Sequence, residues 1–279
     1  TRGWFYTMHA ISTVVMDQLA YKNVVVNGLV LDEKGEKMSK SKGNAVDPFA
    51  LIETHGVDVI RWYMMSNTPP WENLKFSERG IIETQRKFFN TISNVYSFFA
   101  TYANVDGFVY SEPIPLALRP EMDRWILSRL ASTSIEVEAS LSDYNPTKAA
   151  RSIEAFVDEL SNWYIRRNRR RFWSAKDSGS SASDKLAAYQ TVADCLLTLS
   201  RLMAPIAPFY SEWLFKSVND ETKMLSAESV HLTEFPAATE FQALQDAHLE
   251  HKMFLARIIS SIVLALRNTA GINVRQPLP

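Results

Sequence analysis

The segment KMSKSKGN, residues 37–44, places three lysines and two serines in eight positions, with Met38 as its sole aliphatic anchor. Before it, VVVNGLVLD (24–32) reads as a strand, because β-branched residues suit a pleated, buried surface. After it, DPFALIETHG (47–56) reads as a short helix with Asp47 as N-cap and Pro48 in the first turn. Between strand and loop, DEKG (32–35) turns the chain, with Gly35 free to take a positive φ, into a short return strand that delivers the lysines. Serine hydroxyls and freed backbone N–H groups donate hydrogen bonds, and lysines supply mobile point charges suited to phosphates. In α/β folds, ligands gather at the carboxyl ends of strands. Set against this, a lysine-rich turn is most often simply solvated.

The remaining composition narrows the field. A chain of 279 residues, 46% apolar and 22% charged, suggests two domains of an ordinary globular protein. A formal net charge of −1 means that any case for nucleic acid rests on local clusters. Cys195 is the sole cysteine, which excludes an internal disulfide or a multi-cysteine zinc site and fits a reducing, cytoplasmic setting. The longest apolar stretch, IISSIVLAL (258–266), falls far short of the ~20 residues that span a bilayer, so no membrane partner is expected. No metal-ligand spacing appears, and the expectation is no metal site in this chain. The chain starts at Thr1 without methionine or signal peptide and reads as a piece of something longer.

Periodicity supplies the organisation. WFYTMHAISTVVMDQLA (4–20) has helical spacing, with Phe5, Met8, Ile11 or Ser12, Val15 and Leu19 on one side, and NVVVNGLVL (23–31) reads as a buried strand. VDVIRWYMMS (57–66) is a second helix, broken by NTPPWENLKF (67–76). From Ser77 the chain turns helical, with Ile81, Phe88, Ile92, Val95 and Phe99 striping one long helix to about residue 103. The prolines of DGFVYSEPIPLALRP (106–120) forbid a continuous helix and mark a connector. Helices are then expected over 120–141, from an Asn145–Pro146 cap onward, over 184–203, 209–218 and 247–267. SAKDSGSSASD (174–184) is expected to be mobile, and SVHLTEFP (229–236) to be a short strand or extended arm. The helix after Asn145 presents Ala149, Ile153, Phe156, Val157, Leu160 and Tyr164 on one face, leaving Glu154, Asp158 and Glu159 as a solvated one. The fold expected is mixed: a partial α/β nucleotide-binding domain (1–76), a connecting helix and linker (77–119), and an all-α helical bundle (120–279).

Residue order in the loop is more specific than its composition. KMSKS, with Gly43 and Asn44 behind it and DEKG before it, closely resembles the second signature of the class I aminoacyl-tRNA synthetases. The resemblance implies a Rossmann-type domain in which Met38, Ser39, Lys40 and Ser41 contact ATP, supplied with Mg2+, and Lys37 and Lys40 are catalytic. Lys40 would hold the phosphates while the amino-acid carboxylate attacks the α-phosphorus. TRGWFYT (1–7), NWYIRRNRRRFW (162–173) and LRNTAGINVRQPL (266–278) are similar to the isoleucyl branch of that class. The valyl branch shares the loop and layout, and the basic segment and VRQPL tilt the choice to isoleucine. Implied with it are isoleucine and tRNA(Ile) as partners, a monomeric state, and an amino-acid pocket walled by Trp4. The other signature of the class, His-x-Gly-His, is absent, since His9, His55, His231, His248 and His251 stand singly. That signature and an editing domain are expected upstream of Thr1, so the chain should hold half an active site and not catalyse alone. A zinc-binding extension, where the family has one, would lie beyond Pro279.

RRNRRR (166–171) is flanked by Trp163, Tyr164, Phe172 and Trp173. Arginines among aromatics suit phosphates and unpaired bases. Continued at 100° per residue from Asn145, the helix turns Arg166, Arg169, Arg170 and Trp173 outward, with Trp163 at the edge. These five are the expected tRNA contacts, while Arg167 and Arg171 are expected to face the bundle and its carboxylates. Arg267 and Arg275 are weaker candidates for the anticodon loop. From a different functional class, a tRNA-binding module with the α/β part as mere scaffold fits the same helix.

Overall fold

A computed structural model describes residues 3–173 and 180–277. The low-complexity segment expected to be mobile lies largely outside the described residues. The protein is mostly helical, with one small parallel sheet.

The first helix, α1 (Trp4–Met16), stops where Asp17 adopts a left-handed φ of 50°, short of Leu19, and none of its residues is buried. Strand β1 (Val30–Leu31) pairs in parallel with β2 (Leu74–Lys75), in the register Val30↔Leu74 and Leu31↔Lys75. The nine-residue buried strand expected over 23–31 is thus reduced to two residues, and Val24, Val25 and Val26 are half-exposed. A β-branched run becomes a ladder only where strands flank it, and among the described residues β2 alone does so. Gly28 lets the two segments pass close together, since an added Cβ would fall 2.0 Å from the Glu72 carbonyl oxygen.

Helix α2 (Pro48–His55) starts as expected, with Asp47 accepting from the Phe49 N–H, and ends at Gly56, whose φ is 83°. Helix α3 (Val57–Asn67) follows. The long striped helix consists of α4 (Glu78–Thr84), a π-helical turn (Gln85–Phe89) and α5 (Asn90–Asp106), and Ile81, Phe88, Ile92, Val95 and Phe99 are all buried. Beyond the connector come α6 (Glu121–Ser142) and α7 (Pro146–Asp158), the latter capped by Asn145. A second π-helical turn (Glu159–Ile165) separates α7 from α8 (Arg166–Trp173). Then follow α9 (Ser180–Met203), α10 (Pro208–Thr222), α11 (Ala238–Phe241) and α12 (Ala247–Thr269). The short strand or extended arm expected over 229–236 is not a strand but holds a 3-10 turn (Val230–Leu232) between extended residues Ser229 and Thr233, because Glu212 accepts from both Ser229 Oγ and the Val230 N–H.

One contiguous core runs from Leu51 to Leu249. Its joint is the docking of α3 on α7. The last carbonyls of a helix lack intrahelical donors, and here α7 supplies them. Thr147 Oγ1 donates to the Met65 carbonyl (2.7 Å), and Arg151 donates to those of Ser66 (2.9 Å) and Asn67 (2.7 Å). Trp62, fully buried and stacked on Phe88 at 4.2 Å, donates its indole N–H to Glu154 at 2.8 Å. The connector is pinned to α9: Arg119 pairs with Asp194 (2.8 Å), and the Gln190 amide accepts from the Ile114 N–H and donates to the Glu112 carbonyl.

Candidate functional site

The lysine loop is built on Asp32. Its Oδ1 accepts from the N–H groups of Lys34 (3.0 Å) and Glu36 (2.7 Å), and Gly35 takes a φ of 85°, forming the turn that the sequence predicts. Its Oδ2 accepts from Asn44 Nδ2 at 2.8 Å, closing the far end of the loop onto the near end. The Asn44 side chain in turn accepts from the Ser39 N–H (2.9 Å). These donors, Asn44 foremost and then the Glu36 N–H, hold the Asp32 carboxyl below the usual carboxylate range. Where a return strand was expected there is a single antiparallel bridge, Leu31↔Lys37.

Inside this clamp, Met38 is partly buried against the core, as an anchor should be. Ser39 and Ser41 place their hydroxyls 3.2 Å apart, and Ser39 Oγ also accepts from the Lys42 N–H. Lys42 pairs with Glu36 at 3.2 Å. Lys37 is exposed and has no ion-pair partner among the described residues. The backbone of Lys40 opens a 3-10 turn (Lys40–Lys42), while its side chain lies outside the described ones. Just before α4, Ser77 donates to Glu33 at 2.8 Å, tying the turn before the loop to the start of that helix. Trp4 is 75% exposed on α1, with its indole N–H directed at the Met8 sulfur. The clamp pair Asp32 and Asn44 was not among the sequence candidates, although both flank the motif at its Gly-containing turns.

The second candidate surface is α8. Arg166, Arg169, Arg170 and Trp173 are exposed, and Trp163 is half-buried. Arg171 enters the bundle. Its guanidinium forms a two-pronged pair with Asp123 (2.5 and 2.8 Å) and also binds Asp184. Tyr164 Oη donates to the same Asp123 carboxylate at 2.7 Å, and burial pushes its hydroxyl well above the usual tyrosine range.

Arg167, however, does not face the bundle. It is exposed, with its guanidinium 4.9 Å from the centre of the Trp163 ring. The cause is the π-helical turn, which inserts about one residue into the α-helical count. Beyond it the inward positions move one step along the chain, so Asn168 and Phe172 are buried. The face expected to be solvated is also partly engaged: Glu154 binds Trp62, and Glu159 bridges Arg129 and Arg257, with Arg129 reaching on to Glu250. Arg267 donates to the carbonyls of Asn273 (2.9 Å) and Gln276 (2.8 Å), fastening the segment after α12. No group of three or more His, Cys, Asp or Glu residues is placed to hold a metal ion among the described residues, and no helix there is long and apolar enough to cross a membrane.

The family model described as "Anticodon-binding domain of tRNA ligase" matches residues 123–279, and that of "tRNA synthetases class I (I, L, M and V)" matches residues 1–77. The chain is 55% identical to the isoleucine–tRNA ligase of Cytophaga hutchinsonii and 54% to that of Bacteroides thetaiotaomicron, in each case over its whole length. It spans about a quarter of those relatives, 25% and 24% respectively. In fold it resembles the Agrobacterium radiobacter K84 LeuRS-tRNA-LeuAMS ternary complex, with a TM-score of 0.61 at 19% identity over 85% of this chain and 27% of that one. It also resembles Mycobacterium tuberculosis methionyl-tRNA synthetase bound by methionyl-adenylate, with a TM-score of 0.60 at 18% identity over 76% of this chain and 43% of that one. The chain belongs to the family described as anticodon-binding domain of tRNA ligase, which takes up its larger part, and its first 77 residues match the class I tRNA synthetases.

Proposed function

We propose that the chain is the loop-bearing and anticodon-binding part of a ligase that joins isoleucine to tRNA(Ile). The observation that carries this reading is the 54–55% identity, over the entire chain, to isoleucine–tRNA ligases. The division proposed is 1–76 for the end of a Rossmann-type nucleotide-binding domain, 77–119 for the connection, and 120–279 for the anticodon-binding bundle. In the first step an isoleucine carboxylate oxygen attacks the α-phosphorus of ATP, and the bond to the β-phosphate breaks, with its electrons leaving on pyrophosphate. Charge builds on that leaving group. Preorganised cationic donors that tighten as it builds lower the barrier. Lys40 and Lys37 fill that role, with Met38, Ser39 and Ser41 lining the ATP side of the loop. The Asp32–Asn44 clamp supports this, because it fixes both ends of the loop. Mg2+ arrives bound to the ATP phosphates rather than to a site of this chain. Trp4 contributes to the isoleucine pocket, and the working form is a cytoplasmic monomer.

In the second step a terminal tRNA hydroxyl attacks the adenylate carbonyl and AMP departs. Trp163, Arg166, Arg169, Arg170 and Trp173 hold the RNA. The exposure of the three arginines and Trp173, beside a largely buried and paired Arg171, supports that assignment. The test is ATP–pyrophosphate exchange by the full-length parent, with isoleucine, valine and leucine supplied separately. Isoleucine should give the highest kcat/KM, and a preference for valine would refute the reading.

A further inference from the structure

Arg167 differs from the arginines that pair within the bundle. Arg129, Arg171 and Arg257 each meet a carboxylate, whereas Arg167 has no ion-pair partner among the described residues. Its guanidinium is instead seated over the Trp163 ring at 4.9 Å. An aromatic face attracts a guanidinium without using its in-plane N–H donors, so the charge is held in place while the donor edge stays available. Positions three apart lie on one side of a helix, which puts Arg170 beside Arg167. Arg166, four positions before Arg170, shares its exposed side of the helix.

Trp163 meanwhile is not open for base stacking. Its indole N–H donates to the Met253 sulfur at 3.2 Å, and a second guanidinium, that of Arg257, lies 5.8 Å from the ring centre. The ring is half-buried between α8 and α12.

Building on the reading of α8 as an RNA surface, we propose that Arg167 binds an RNA backbone phosphate. Trp163 is then a positioning residue that acts through Arg167, and base stacking falls to Trp173. The π-helical turn makes this possible, since without its extra residue Arg167 would point at the bundle.

The experiment is filter binding of tRNA to the full-length protein at several salt concentrations, with thermal melts of every variant. Arg167→Ala should weaken binding about 10-fold and reduce the salt slope by about one, as expected for one lost phosphate contact. Its melting temperature should stay within about 2 °C of the parent, since surface changes rarely cost more. Trp163→Leu should weaken binding by a similar factor, and the Trp163→Leu/Arg167→Ala double variant should be no weaker than either alone. Trp163→Phe, which keeps an aromatic face, guards against loss of folding and should bind nearly as the parent does. The triple Arg166→Ala/Arg169→Ala/Arg170→Ala variant checks the underlying reading. If the triple variant binds weakly while Arg167→Ala binds normally, Arg167 is not a contact. If the double variant loses the product of the two single factors, Trp163 acts on RNA independently. If the triple variant and Arg167→Ala are both silent, α8 is not an RNA surface and the inference falls with it.

Discussion

Removing the Arg171 guanidinium is the sharpest stability test. Asp123 is fully buried and Arg171 nearly so, and two N–H···O contacts of 2.5 and 2.8 Å join them. Among the described residues, truncation to alanine leaves the Asp123 carboxylate with only the Tyr164 hydroxyl and removes the guanidinium from Asp184. Leaving one charge of a buried pair uncompensated typically costs about 3–5 kcal/mol. For a domain above 150 residues each kcal/mol lowers Tm by roughly 2–4 °C, so Arg171→Ala should melt roughly 6–20 °C below the parent. A second variant separates charge from packing. In Arg171→Met/Asp123→Asn the amide oxygen still accepts from Tyr164 while no net charge remains, and at least half of the lost Tm should return. Melting followed by circular dichroism reads both. An Arg171→Ala protein melting within about 2 °C of the parent, where surface changes usually fall, would show that the pair is not holding α6 to α8.

Four further outcomes are expected. Lys40→Ala in the full-length parent should slow adenylate formation ~10²–10³-fold with little change in isoleucine binding, read by single-turnover kinetics. Asn44→Ala, which opens the clamp on Asp32, should lower the same rate about 10-fold through misplacement of the loop, and should leave Tm nearly unchanged. Arg151→Ala should cost about 2–4 kcal/mol in urea unfolding, because it removes two charge-assisted bonds to the end of α3. Stability should also fall as pH rises past ~10. Burial pushes the Tyr210 hydroxyl up to about 12 and raises those of Tyr63, Tyr110, Tyr164 and Tyr189. The folded state thus keeps protons that the unfolded chain gives up, and stability present below the unfolded pKa is lost progressively up to the folded one. Urea midpoints measured from pH 9 to 11.5 would show this, and Tyr210→Phe should flatten the decline.

Much of the molecule is legible in the sequence because local signals and packing agree. Asp47–Pro48 and Asn145–Pro146 cap their helices as read, and the stripes of α5 and α7 are buried. Two departures have physical causes. A valine run looks like a buried strand, but burial depends on neighbours that the run itself does not encode. The π-helical turn leaves no mark in hydrophobic spacing within one helix and emerges only when positions on both sides are compared: Leu160 and Tyr164 fit one phase, Asn168 and Phe172 the next. The KMSKS motif could be read directly, but its clamp could not. Asp32 and Asn44 are ordinary turn residues until the fold brings them within 2.8 Å.

The docking of α3 on α7 also governs how the molecule comes apart. With the last carbonyls of α3 bonded to Thr147 and Arg151, and Trp62 bonded to Glu154, melting α7 would strand polar groups at the end of α3. Severing the connector would not liberate two self-sufficient halves, since Arg119 and Gln190 rivet it to α9 and the core crosses beneath it. The arginine-rich surface proposed for RNA and the loop proposed for ATP are therefore expected to melt together on heating, rather than one outlasting the other.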